Sequence, residues 1–76
     1  MSRERSEVAA RARRRLGRHL AATRRDRGMT VAQVAQELEV GASTVTNWER
    51  GRSAPKPEFL YMLRNLLDCT FEELMG

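Results

Sequence analysis

Between Gly41 and Gly51 the chain places Ser43, Thr44, Thr46 and Asn47, short uncharged side chains that can donate and accept hydrogen bonds. Arg50 and then Arg52 follow. Side chains this short, projecting from the start of a helix, can reach planar hydrogen-bonding edges in a groove, and a carboxamide such as that of Asn47 can make two parallel bonds to one edge. The guanidinium forks of Arg50 and Arg52 match the spacing of phosphate oxygens. This is recognition chemistry, not bond making. Catalysis finds no comparable grouping: the lone His19 and the lone Cys69 stand fifty residues apart, with no glycine-rich phosphate loop and no ligand cluster at metal spacing. Glu72 and Glu73 read as the acidic first turn of a helix. No cofactor or metal is expected. Cys69 falls at an apolar step and is expected to be a small buried hydrophobe, and His19 is expected to be exposed.

Charge becomes informative once it is located. Residues 1–27 hold ten arginines against Glu4, Glu7 and Asp26, whereas the remainder holds Arg50, Arg52, Lys56 and Arg64 against seven acids. The halves are therefore +7 and −3, and they sum to the net +4. Thirteen arginines to one lysine suit a polyanionic partner, although the bias does not by itself separate DNA from RNA or an anionic membrane. A membrane-surface helix over residues 7–27 would need larger apolar residues than this stretch has. Seventy-six residues make one domain at most. With one thiol, no signal core and no transmembrane run, the expectation is a cytoplasmic protein.

The elements that must carry these groups follow from apolar spacing, and all are helical. From about Glu7 to Arg27, Val8, Ala12, Leu16, Leu20 and Thr23 form a narrow stripe, with Ser6 as N-cap, Gly28 as the stop and residues 1–6 expected to fray. Thr30 caps a second helix with Val31, Val34, Ala35 and Leu38 on its buried face. After a break at Glu39-Val40-Gly41, a third helix runs from about Ala42 to Arg50, with Val45 and Trp48 inward and Gly51 at its end. Ser43 and Thr44 can alternatively serve that helix start as caps. Pro57 opens a fourth helix carrying Leu60, Leu63 and Leu67. Thr70 with Glu73 forms a capping box for a fifth, with Phe71 and Leu74.

Two short helices crossing after a three-residue turn need a small residue at the crossing, Ala35, and apolar anchors, here Val34, Leu38, Val40, Val45 and Trp48. Through the span Val31–Gly51, VAQVAQELEVGASTVTNWERG, and above all its Trp48-Glu49-Arg50-Gly51 run, the chain resembles the phage repressor/Cro-like, or Xre-type, helix-turn-helix family. The likeness extends to Leu16–Gly28 and Pro55–Leu74. It implies an all-α, five-helix repressor-like domain over 16–76, preceded by a basic extension over 1–15. It also implies a sequence-specific transcriptional regulator that inserts its third helix into the major groove of double-stranded DNA, as a homodimer on a near-palindromic operator.

Carried over by position, Ala42, Ser43, Thr46 and Asn47 face base edges, Asn47 toward adenine and Ala42 toward a thymine methyl. Arg24, Thr30, Thr44, Arg50 and Arg52 meet phosphates, and Arg24 can also pair with Glu49. Three residues depart from the family pattern: Glu39 where a left-handed glycine is usual, Val31 for a polar residue and Thr23 for a leucine. Along the first helix, Arg11, Arg15 and Arg18 share a face that either tracks a DNA backbone or is merely solvated, with Glu7 pairing to Arg11. The competing functional class is an antitoxin or adaptor that binds a protein partner as well as DNA.

Overall fold

The computed structural model describes residues 3–76 as five α-helices: α1 (Arg3–Asp26), α2 (Val31–Leu38), α3 (Ala42–Glu49), α4 (Pro57–Leu67) and α5 (Phe71–Met75). The caps explain most of the boundaries. Thr30 Oγ1 accepts from the Gln33 backbone N–H at 3.0 Å, and Gln33 Oε1 accepts from the Thr30 N–H at 2.8 Å, so two orphan donors of α2 are satisfied reciprocally. Thr70 and Glu73 repeat the device at α5. Pro57 sits in the first turn of α4, where its missing N–H costs nothing. Gly28 (φ 69°) adopts the left-handed conformation expected of it beyond α1.

Glu39 ends α2 in that same conformation, φ 57° and ψ 41°, and its N–H reaches the Ala35 and Gln36 carbonyls. A side chain there costs about 1–2 kcal/mol, partly offset by the greater unfolded-state freedom of glycine. Glu39→Gly should therefore stabilise by roughly 0.5–1 kcal/mol and raise the melting temperature by about 2–8 °C, read by thermal denaturation. Asp68 ends α4 in the same region, φ 50°, which the sequence reading missed.

The core is one cluster: Leu16 and Leu20 of α1, Val34, Ala35 and Leu38 of α2, Val45 and Trp48 of α3, Leu63 and Leu67 of α4, Cys69, and Leu74 of α5. Trp48 is buried and tilts against Phe59 with ring centroids 5.5 Å apart, a packing residue as expected. Burial also pushes the Cys69 thiol above its ordinary pKa, so it remains a neutral hydrophobe. Arg27 closes the junction of α1 and α4, donating to the Leu67 and Asp68 carbonyls at 2.6 and 2.8 Å. These acceptors lie at the negative end of α4, where a cation is favoured.

The start of α1 departs from expectation. The described helix begins at Arg3, so Ser6 lies inside it and is not its cap, and residues 3–6 are helical; Met1 and Ser2 lie outside the described residues. Alanine- and arginine-rich sequence favours helix even without tertiary contacts. The apolar stripe likewise stops short: Leu16 and Leu20 are buried, but Ala12 is exposed and Val8 is 62% exposed. α3 and α5 both pack against α1, but Val8 and Ala12 only line an open groove with Met75 at the end of α5. Twenty-four residues span about 36 Å, nearly the whole 38 Å long axis of the molecule. His19 is half-buried beside Gly76, not exposed, and its Nδ1 has no hydrogen-bond partner.

Candidate nucleic-acid interface

α3 is eight residues long, and its two faces differ sharply. At about 100° per residue, Val45 and Trp48 lie within 60° of each other, and Ser43, Thr46, Asn47 and Arg50 fall in an arc of about 100° on the opposite side. Val45 is 0% and Trp48 4% exposed, whereas Ala42, Ser43 and Arg50 are exposed and Thr46 and Asn47 half-buried. Of the side chains in that arc, none has a hydrogen-bond partner among the described residues. Those of Ser43, Thr46 and Asn47 are therefore neither packed inward nor used up internally. Gly41 is the N-cap and no side chain caps α3, so Ser43 and Thr44 do not serve as caps. Thr44, half-buried, sits on the flank of the helix. Thr30 is exposed beside α2, and because its oxygen accepts from Gln33, its hydroxyl proton is still available to a ligand.

Three devices hold this helix. Ala35, 3% exposed, is a small buried residue of α2, the helix that packs against α3. On the other side Arg24 grips Glu49 with both arms of its fork, Nε to Oε2 at 2.6 Å and Nη2 to Oε1 at 3.0 Å, while its Nη1 donates to the Met29 carbonyl at 2.8 Å. The bond to Glu49 raises the Arg24 guanidinium above its ordinary pKa against the opposing effect of burial, so it stays charged. At 8% exposure Arg24 turns most of its donors inward and has little reach toward a phosphate. The third device was not foreseen. α1 crosses the end of α3 at Gly17, where a Cβ would sit 2.4 Å from the Trp48 carbonyl oxygen and 2.5 Å from that of Glu49.

Just beyond, buried Gly51 (φ 73°) lies so close to α1 that a Cβ would come within 2.7 Å of Arg14 Cα, and Arg13 Nε donates to its carbonyl at 3.3 Å. Exposed Arg50 and Arg52 flank Gly51, and the Arg52 N–H bonds the Asn47 carbonyl at 2.9 Å, folding the loop back on the helix. Glycines at 17 and 51 were readable as residues, but which backbone each approaches was not. On α1, Glu7 and Arg11 form no ion pair, and Arg15 donates to the Gly76 carbonyl. Among the described residues no helix is long and apolar enough to cross a membrane.

Comparison with known proteins agrees with this geometry. A family model described as a helix-turn-helix domain matches residues 15–74. The HTH-type transcriptional regulator ImmR of Bacillus subtilis (strain 168) is 31% identical over 61 residues, which cover 80% of this chain and 48% of ImmR. The chain thus spans about half the length of that curated relative. Among solved structures, the clp gene regulator ClgR from C. glutamicum is similar with a TM-score of 0.76 and 27% identity, over 83% of this chain and 82% of that one. The DNA-binding domain of BldD is similar with a TM-score of 0.76 and 25% identity, over 88% and 97%. All-helical architecture, the packing of α2 against α3 and a family match over most of its length agree: the chain belongs to the helix-turn-helix domain family.

Proposed function

We propose that the protein is a sequence-specific DNA-binding transcriptional regulator that lays α3 in the major groove. One observation carries this reading: an arc of short polar side chains, unbonded and outward-facing, on a helix held from behind by Ala35, Arg24 and Gly17. A groove about 12 Å wide admits one helix. Likeness to the transcriptional regulator ImmR, the clp gene regulator ClgR and the DNA-binding domain of BldD supports it.

Ala42, Ser43, Thr46 and Asn47 read base edges, with Asn47 selecting adenine. Thr30, Thr44, Arg50 and Arg52 hold phosphates and set the register. Arg24 acts chiefly by fixing α3 through Glu49, with only its uncommitted N–H groups left for the backbone. Residues 1–15 form a basic extension to the domain at 16–76. The protein acts without catalysis, in the cytoplasm and on the nucleoid. Two copies occupy half-sites roughly 34 Å apart. Occupancy then blocks or recruits polymerase.

Selecting bound sequences from a random duplex pool tests this directly: a symmetric consensus is expected, and the absence of any consensus would refute sequence-specific reading. Against the selected site, Asn47→Ala should lose about 1–3 kcal/mol of discrimination at one base pair, measured by competition among single-base variants. Arg52→Ala should weaken all sequences alike and reduce the slope of log K against log salt by about 0.9, measured by titration at several salt concentrations.

A further inference from the structure

The arginines of α1 are not equivalent. Turning about 100° per residue, Arg11 and Arg18 lie roughly 100–120° from Gly17, the contact with α3, and Arg15 lies further round, toward α5. Among the exposed arginines of this stretch, Arg14 lies closest to the contact with α3. Its Cα, N and Cγ are packed against Gly51, within 2.7–2.9 Å of where a Cβ would stand. Gly51 is flanked in the chain by Arg50 and Arg52, so three exposed arginines have their backbones gathered at one buried glycine. We propose that Arg14 joins Arg50 and Arg52 in a single phosphate-binding site for the DNA backbone, built jointly by α1 and the loop after α3. The site rests on the DNA-binding reading above and extends it to a residue outside the helix-turn-helix.

The surroundings favour an oxyanion. Arg14, Arg50 and Arg52 have no carboxylate partner among the described residues, and the nearby Glu49 is held by Arg24 at 2.6 Å. Three like charges rooted around one buried glycine repel one another, and a phosphate relieves that repulsion while accepting from their forks. Arg13 is spent on the Gly51 carbonyl and serves as a brace. Because Gly51 has no side chain, the stem of Arg14 sits directly on the loop, and the guanidinium projects from a fixed base.

The test is the salt dependence of binding to a mixed-sequence DNA duplex by Arg14→Gln, which keeps the packed part of the stem and removes the charge. Its slope of log K against log salt should fall by about 0.9 relative to the unmodified protein. Between 50 and 200 mM salt it should therefore lose roughly 3–4-fold less affinity, with base preferences and melting temperature unchanged. Arg11→Gln and Arg18→Gln should leave the slope unaltered. An unchanged slope in Arg14→Gln overturns the site, as does an equal fall in all three variants, which would indicate diffuse attraction to α1. Either result leaves the DNA reading intact if Asn47→Ala still loses discrimination. If no sequence is selected and Asn47→Ala changes nothing, while Arg14→Gln alone lowers the slope, the phosphate site stands and sequence-specific reading falls.

Discussion

Glu49→Ala is expected to cost about 3–5 kcal/mol of folding stability, because it strands a guanidinium that is only 8% exposed. Arg24 would lose both bonds to the carboxylate and keep only the one to Met29. A domain of this length has a total stability of about 4–11 kcal/mol, so the loss is a large fraction of the total and should lower the melting temperature by roughly 12–40 °C. The double variant Arg24→Met, Glu49→Leu removes both charges and should recover most of the loss, since a buried ion pair contributes little against an apolar replacement. Denaturant titration of the two proteins checks both statements; equal instability in the double variant would mean that the pair itself, not the stranded charge, matters. Because Glu49 raises the Arg24 pKa, the arginine's contribution is fully present below its ordinary pKa and is lost only as pH rises through the higher folded value. The contribution of Arg24 is therefore constant across neutral pH.

Gly17→Ala is expected to destabilise despite improving helix propensity. Alanine gains about 1 kcal/mol over glycine in a helix interior. Against that, its methyl would stand 2.4 Å from one backbone oxygen and 2.5 Å from another, neither of which can rotate away. α1 must then move off α3 by about an ångström, loosening the Arg24 grip two turns later. Overpacking of this kind typically costs 1–3 kcal/mol, and backbone atoms place it at the upper end. The net loss should be about 2 kcal/mol, or roughly 8–16 °C in melting temperature. Gly41→Ala, where a Cβ meets nothing closer than 3.7 Å, is the control and should change far less.

The division between what could be read from the sequence and what could not follows the range of the interactions. Thr30, Pro57 and Thr70 announce helix starts because a cap and its partner lie within one turn. Glu39 was expected in a left-handed turn through the family resemblance, and so was the Arg24–Glu49 pair, which spans 25 positions. By contrast, Arg13 finds Gly51 and Arg27 finds Leu67 across 38 and 40 positions, with no local pattern to signal either. Val8 and Ala12 failed for another reason. Apolar periodicity says which side of a helix is greasy, not whether a neighbour is there to cover it. Among the candidate contacts, the outward set on α3 was legible because burial of Val45 and Trp48 dictates the opposite face. Arg14 was not, since its place depends on where α1 crosses a loop.

The start of α1 is also a lever, with its fulcrum where Arg13 and Arg14 meet Gly51. Ten steps of one continuous helix lead from there back to Arg3, an arm of about 15 Å. A swing of roughly 10° about the fulcrum carries the tip through about 3 Å while scarcely displacing α3. The tip therefore magnifies any small shift of the groove-facing rod, and a spectroscopic label near Arg3 should register that shift more strongly than one on the rod itself.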